Sequence, residues 1–305
     1  HIQTINPHAL IISDVAVVEW ARTHTEIPIH ISTQASTLNW RGCEFWKALG
    51  ASRVILGREA SVQDCKTIQS QSDIELEIFV HGAMCASYSG KCVISNYTSG
   101  RDSNRGGCVQ TCRHNFVIEA PSTPSYNSHI MNAKDLMGID QLPAILDAQI
   151  HSLKIEGRMK SNLYVANAVR AYRQAIDYCY DQRQADRPIN NETLQTFKTA
   201  LASVSNRSFS SGGLDHVPGP ESINTVFNQY EKTSELIGTV LDTTSTNEWI
   251  IHVKNTFTPT DHLIVMTPTH DIPFRALKIK DLEGQLEEYF LRSLVRLMRE
   301  GHKVV

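Results

Sequence analysis

From residue 9 onward, short runs of aliphatic and β-branched residues alternate with longer stretches in which apolar positions recur every three or four residues. That alternation predicts parallel strands joined by crossover helices. The strand-like runs are ALIIS (9–13), IPIHIS (27–32), RVILG (53–57), ELEIFVH (75–81) and SLKIEG (152–157). Helical spacing falls between them, in VAVVEWARTH, TLNWRGCEFWKALG, SVQDCKTIQSQS and GIDQLPAILDAQ, and a long helix, NLYVANAVRAYRQAIDYCYDQ, follows the fifth run. In this last helix Val165, Ala168, Val169, Tyr172 and Ile176 recur at helical spacing and read as a core-facing stripe.

Between the fourth run and the next helix the chain goes from about residue 82 to about residue 134, much longer than an ordinary βα connection. Loops at the carboxyl ends of parallel strands form the functional face of barrels and open α/β sheets, so chemistry is expected in this segment. Within it, EAPSTPSYNS (119–128) reads as a flexible Pro/Ser-rich excursion. Three parts follow: a (β/α) portion at 1–182 carrying the insertion at 82–134, a helical and loop linker at 183–232, and a small β-rich domain at 233–305. The linker contains ETLQTFKTALASV, and the last part has strands at ELIGTVLD, EWIIHVKN and HLIVMTP before an amphipathic tail, LEEYFLRSLVRLMREGH (286–302).

Composition narrows the picture. The 305 residues can bury one large core or two moderate ones. With 41% hydrophobic and 20% charged residues, and no apolar run of about 18, the chain reads as soluble with no membrane partner. It shows no export signal, so a cytoplasmic location is expected and the sequons at Asn96, Asn191 and Asn206 are read as chance matches. The start, HIQTINPHALIIS, has no methionine and reads as a fragment. A net charge of −3 is not that of a strongly basic nucleic-acid binder, so any RNA affinity is local.

Four of the seven cysteines, Cys85, Cys92, Cys108 and Cys112, fall in HGAMCASYSGKCVISNYTSGRDSNRGGCVQTC, whereas Cys43, Cys65 and Cys179 lie in helical patterns as ordinary buried thiols. The spacing Cys-x6-Cys-x15-Cys-x3-Cys offers four soft donors, suited to zinc or to an iron–sulfur cluster. No Cys-x2-Cys knuckle is present, which tilts the choice toward a cluster. Disulfides are a third option, disfavoured in a cytosolic enzyme. Four unrelated thiols, or a cysteine nucleophile paired with His81, are the remaining alternatives.

Polar groups gather at or just past the predicted strand ends: Gln34, Arg58, Glu59, Glu156 and Arg158. In KIEGRMK, Glu156 is placed to accept a proton and Arg158 to clamp a carboxylate or phosphate, the bland alternative being an architectural ion pair. His81, at the end of the fourth run, is either a proton carrier or a core histidine. Lys91, Arg101, Arg105, Arg113 and Lys160 read as a basic rim, with Tyr88 and Tyr97 available to stack on an unpaired base; solvated loop charge is the ordinary alternative.

The stretch ELEIFVHGAMCASYSGKCVIS resembles the signature of the collagenase-like peptidase family of unclassified mechanism, and the similarity continues through GRDSNRGGCVQTC, IMNAKDL, SLKIEGRMKS and NRSFSSGG. The paired Cys108 and Cys112 are most similar to its tRNA 5-hydroxyuridine modification branch, other branches of which hydroxylate ribosomal RNA or a quinone precursor. This resemblance implies a TIM-like (β/α) barrel, oxygen-independent hydroxylation of the tRNA wobble uridine, and a 4Fe–4S cluster on Cys85, Cys92, Cys108 and Cys112. It also implies prephenate as a required metabolite. Glu156, Arg158 and His81 then become catalytic candidates, and Gln34, Arg58, Glu59 and Lys160 substrate-binding ones. The implied partners are tRNA, a small-molecule oxygen donor and an electron-donor protein. Relative to the family pattern the first three strand–helix units are absent, and the five remaining strands are too few to close a barrel. A collagenase-like peptidase and a non-catalytic scaffold tied together by zinc are the competing expectations.

Overall fold

A computed structural model describes residues 2–121, 123–226, 230–243, 248–281 and 294–299. The chain divides into two compact units, His1–Glu231 and Lys232–Val305. The first opens with a turn of helix, α1 (Ile2–Ile5), and then alternates β1 (Leu10–Ile12), α2 (Val15–His24), β2 (Ile29–Ile31), α3 (Trp40–Ala48), β3 (Arg53–Ile55), α4 (Val62–Gln71) and β4 (Glu75–Gly82). The cysteine segment follows, with α5 (Ile94–Ser99), and leads through β5 (Phe116–Ala120), β6 (Thr123–Ser128), β7 (Asp135–Met137) and α6 (Leu142–Asp147) to β8 (Ser152–Glu156). Helices α7 (Asn162–Gln184) and α8 (Asn191–Ala202) and the short β9 (Phe209–Ser210) complete this unit.

Each of the five strands expected from the hydrophobic pattern forms, and β1, β2, β3, β4 and β8 pair in parallel in that order. β7 runs antiparallel against the last two residues of β4, and β9 pairs with β7. The result is a mixed, seven-stranded sheet flanked by helices. A closed barrel is not seen among the described residues: β1 pairs with β2 and β9 with β7 at opposite ends of the strand order. Five parallel strands cannot satisfy the linked tilt and stagger of a closed barrel.

Local chemistry starts the helices where the pattern predicts them. The Asp14 side chain accepts the Val17 amide at α2, Ser61 and Asp64 form a reciprocal capping box at α4, and Ser161 caps α7. Their apolar faces pack on the sheet through Val18, Trp46, Ile68, Ile145 and Leu201, with Cys43, Cys65 and Cys179 buried in the same core. On α7 the buried stripe is Tyr164, Ala168, Ala171, Tyr172, Ala175 and Cys179, while Val165 and Val169 are exposed. Half of the stripe is alanine, so small residues as well as large ones fill the buried face of α7. Within residues 183–232, expected to be a helical and loop linker, the helix expected at ETLQTFKTALASV forms as α8, and its Leu194 and Leu201 join the same core. The expected flexible excursion at 119–128 is instead mostly hairpin, β5 pairing with β6.

The second unit holds an antiparallel sheet of β10 (Gly238–Thr243), β11 (Glu248–Val253), β14 (Ala276–Asp281) and β15 (Leu294–Arg299), and a hairpin of β12 (Leu263–Met266) and β13 (Asp271–Phe274). Trp249, Ile251, Val253, Phe257 and Leu263 form its core. Of the expected tail at 286–302, residues 294–299 are strand β15, and the remainder lies outside the described residues. Among the described residues, no helix is long and apolar enough to cross a membrane.

One irregularity positions the functional end of the sheet. The pairing of β4 with β8 shifts register between Phe79 and His81, a bulge at Val80. The Val80 carbonyl accepts hydrogen bonds from the Tyr172 hydroxyl at 2.6 Å and the Gly138 amide at 2.9 Å. Tyr172 in turn accepts the Gly138 amide at 3.0 Å, locking α7, the turn after β7 and the bulge together. Removing this hydroxyl leaves the Gly138–Val80 bond in place, so Tyr172→Phe is expected to lower unfolding stability by roughly 1 kcal/mol, near the net worth of one hydrogen bond, while Tyr172→Ala costs about 3–5 kcal/mol. Chemical denaturation followed by circular dichroism measures both.

Candidate functional site

The cysteine segment is fastened to the carboxyl ends of the strands by close backbone contacts and by side chains. Gly82 ends β4 at φ 105°, and a Cβ there would lie 2.1 Å from the Glu156 carbonyl oxygen. Gly90, at φ 74°, meets the Gln34 carbonyl oxygen at the same distance. Both positions need glycine because a side chain would occupy the space of another backbone. Between them Ser89 is held three ways: its amide donates to Glu59 Oε1 at 2.8 Å, its hydroxyl accepts the Arg58 amide at 3.0 Å, and its carbonyl accepts the Ser36 hydroxyl. Gln34, Arg58 and Glu59, expected to contact substrate, thus share a boundary with the cysteine segment, and Glu59 is already committed to holding it.

Within the segment, hydroxyls and amides replace regular structure. Asn104 donates to the Cys92 carbonyl at 2.9 Å, buried Ser95 accepts the Val109 amide at 3.3 Å, and Thr98 and Thr111 share a hydrogen bond of 2.9 Å. All seven cysteines are free, which removes the disulfide option. Burial pushes the Cys43 and Cys65 thiols up to about 12, as befits inert core sulfur. The other group behaves differently. Burial also raises Cys85 and Cys112, yet cations oppose it, Arg58 and Arg113 at Cys85 and Arg113 at Cys112. Cys85 and Cys112 each lie within electrostatic reach of the other three thiols of the segment.

Among the described residues no three His, Cys, Asp or Glu side chains converge tightly enough to chelate a single metal ion. The donor set consists of four free thiols on one segment, with the Gln110 amide aimed at Cys108 Sγ at 3.4 Å. Four soft sulfur donors are the ligand type that zinc or an iron–sulfur cluster takes.

Next to the thiols lies a cluster of buried charge. Asp135 on β7 is fully buried and accepts from Lys160 Nζ at 3.0 Å, with Arg207 Nη1 3.9 Å from its other oxygen. Arg113 is 5% exposed and donates to Asn132 Oδ1 at 2.9 Å, to the Ala133 carbonyl, and to the Met84 carbonyl at 2.7 Å, beside Cys85. Arg207, 6% exposed, donates to Gln110 Oε1 at 3.0 Å and to the Tyr230 hydroxyl at 2.5 Å. Lys160 sits over the rings of Tyr164 and Tyr230. Two cations therefore meet the Asp135 carboxylate, Arg113 is held nearby by neutral oxygens, and burial lowers Lys160 against the pull of Asp135.

His81 adjoins this cluster. Its imidazole is 1% exposed, enclosed by Tyr164, Tyr172 and Phe209 at ring separations of 5.4–5.6 Å, and neither ring nitrogen has a hydrogen-bond partner among the described residues. Burial depresses its pKa from 6.5 to about 4, partly offset by Asp135. The ring is neutral at physiological pH, with one nitrogen able to donate and the other to accept.

The sequence-derived candidates meet at one end of the sheet. Glu156 ends β8 and accepts the Arg158 amide at 3.0 Å, so it shapes the turn as well as facing the site. Exposed Arg158 reaches Gly106, its Nη1 lying 3.6 Å from where a Cβ would stand. The expected basic rim is partly wrong: Arg113 and Lys160 are buried structural cations, whereas Arg105 is exposed. Tyr88 and Tyr97 are 72% and 88% exposed. Asp135, Arg207, Gln110 and Tyr230 are not evident in the sequence because they are separated by up to 120 residues and carry no local motif beyond NRSFSSGG and the Cys-x3-Cys turn.

Comparison with known proteins fits this arrangement. The chain is 38% identical over 249 residues to the tRNA hydroxylation protein P1 of Bacillus subtilis, covering 78% of this chain and 57% of that protein. It is 31% identical to the tRNA hydroxylation protein P of Escherichia coli, covering 92% of this chain and 72% of the relative. The 23S rRNA 5-hydroxycytidine C2501 synthase of E. coli is 35% identical over 57% of this chain and 27% of its own length. The chain thus spans between about half and about three quarters of the tRNA-directed relatives. Residues 1–224, which include the cysteine segment, every strand of the mixed sheet and most of the buried charge, match Peptidase family U32, and the chain belongs to that family.

Proposed function

We propose that this chain is the cluster-bearing part of an RNA hydroxylase that installs a hydroxyl group, without molecular oxygen, on carbon five of the wobble uridine of tRNA. Cys85, Cys92, Cys108 and Cys112 would hold a 4Fe–4S cluster, which when bound supplies redox chemistry at the strand ends. The observation that carries this reading is the surplus of buried cation, Lys160, Arg113 and Arg207 against Asp135, beside four free thiols. Arg113 and Arg207 are met mainly by neutral acceptors, which satisfies their hydrogen bonds but leaves net positive charge, and a cluster held by thiolates is an anionic occupant that would offset it. The relatives named for tRNA hydroxylation and for 5-hydroxycytidine synthesis support pyrimidine hydroxylation as the reaction class.

The remaining residues take roles that their surroundings permit. Exposed Arg158, beside Gly106, is placed to clamp an anionic small-molecule oxygen donor, for which the family resemblance implies prephenate. Neutral His81 can donate or accept one hydrogen bond without a change of charge, and the Glu156 carboxylate orients the Arg158 turn. Tyr88 and Tyr97 present exposed ring faces on which an unpaired base can stack. An electron-donor protein is a further partner of this reading. The peptidase reading lacks an assembled nucleophile: among the described residues His81 is enclosed by aromatic rings, with no hydrogen bond to any cysteine.

Anaerobic purification of the full-length protein is expected to give iron and acid-labile sulfide in about equal amounts with a broad visible absorption. Cys108→Ala is expected to lose most of the iron and to leave wobble-uridine hydroxylation unrestored in a deletion strain, whereas Cys65→Ala retains both. Zinc without sulfide, or normal hydroxylation in the deletion strain, overturns the reading.

His81 also predicts a pH dependence. Its folded pKa of about 4 lies below its ordinary 6.5, so between these values the unfolded chain binds the extra proton. Stability is then complete above about pH 6.5 and falls as pH drops toward 4, by up to about 1.4 kcal/mol per unit from this one group. In His81→Phe, denaturant titrations between pH 7 and 4.5 are expected to lose that part of the slope.

A further inference from the structure

Gln110 lies between Cys108 and Cys112 in the left-handed conformation, φ 59°, which is costly for a residue with a side chain. Two observations show what holds it there. Its amide points at Cys108 Sγ, 3.4 Å away, and its side-chain oxygen accepts a hydrogen bond from Arg207 Nη2 at 3.0 Å. Arg207 is itself firmly placed. The same Nη2 donates to Tyr230, whose ring lies 4.5 Å from the guanidinium carbon. The flanking Asn206 exchanges two backbone hydrogen bonds with Glu231, at 2.9 and 2.7 Å, and its side chain donates to the Ala202 and Val204 carbonyls. A buried, braced cation thus grips a side chain whose own backbone amide addresses the Cys108 sulfur.

We infer that Arg207 is a positioning residue which, acting through the Gln110 side chain, keeps the Gln110 amide on Cys108 sulfur and so sets the reduction potential of the group held by the four cysteines. The inference rests on the iron–sulfur reading for its redox consequence, but not for the tether itself. Hydrogen bonds to ligating sulfur stabilise the more negative, reduced state, so their loss moves the potential downward. Arg207→Lys keeps the charge and loses the planar fork. Gln110→Gly keeps, and even eases, the left-handed backbone while removing the tether.

In anaerobically purified protein, both variants are expected to shift the midpoint potential to more negative values than the wild type, and the double variant no further than either single one, as for residues acting in series. Where a variant fails to load, parallel loss of iron in both carries the same meaning. An effect of Arg207→Lys without one of Gln110→Gly, additive shifts, or unchanged potentials would overturn the inference. Wild-type protein without iron and sulfide would instead sink the cluster reading, and a second measurement still decides the tether. In iron-free protein, hydrogen exchange over residues 108–112 is expected to accelerate in both variants, and unchanged exchange refutes the role of Arg207.

Discussion

Charge that is buried must be answered by charge or by hydrogen bonds, and this requirement organises the carboxyl end of the sheet. Asp135 on β7 meets Lys160 from the turn after β8 and faces Arg207 from the loop before β9, so one carboxylate draws together three chain segments. Arg113, from the cysteine segment, reaches back to the carbonyls of Met84 and Ala133. The cysteine segment is therefore held at both its beginning and its end by groups whose burial makes their geometry unforgiving. Against this frame the surplus of positive charge is informative, because a pair alone would be neutral.

Flexibility and rigidity are divided accordingly. Gly82 and Gly90 permit contacts at which a Cβ would stand about 2.1 Å from a carbonyl oxygen, so the loop joins the strand ends through backbone contact. Further out, Tyr88 and Tyr97 project from the same segment with their rings exposed. The bulge at Val80 contributes by turning His81 into an aromatic enclosure in which its ring stays neutral.

Much of the parallel sheet was legible from residue pattern, because strand alternation and helix spacing are local consequences of which face each residue buries. The β1, β2, β3, β4 and β8 positions and the three core cysteines follow from neighbours a few residues away. The hairpin of β5 and β6 did not, since proline and serine mask a pairing made by backbone groups. On α7, periodicity marked Val165 and Val169 as core, but the buried face runs through Ala168, Ala171 and Ala175 and leaves both valines exposed.

The candidate site divides in the same way. Crowding of Cys85, Cys92, Cys108 and Cys112 is a property of the sequence, and so is the placing of Glu156, Arg158 and His81 at strand ends, because a strand's end can be read from where its pattern stops. Arg113 and Arg207 look in sequence like any solvated arginine, and Asp135 like any loop acid. Whether such a charge meets water or protein depends on segments as much as 97 residues apart, as Arg207 and Gln110 are. The sequence by itself thus determined the order of strands and helices and the chemical type of the reactive groups, both fixed by local periodicity and residue identity. Only the tertiary structure decided which charges are buried, which side chains brace the cysteines and which way His81 faces, because solvation and long-range hydrogen bonding exist only once distant segments have packed.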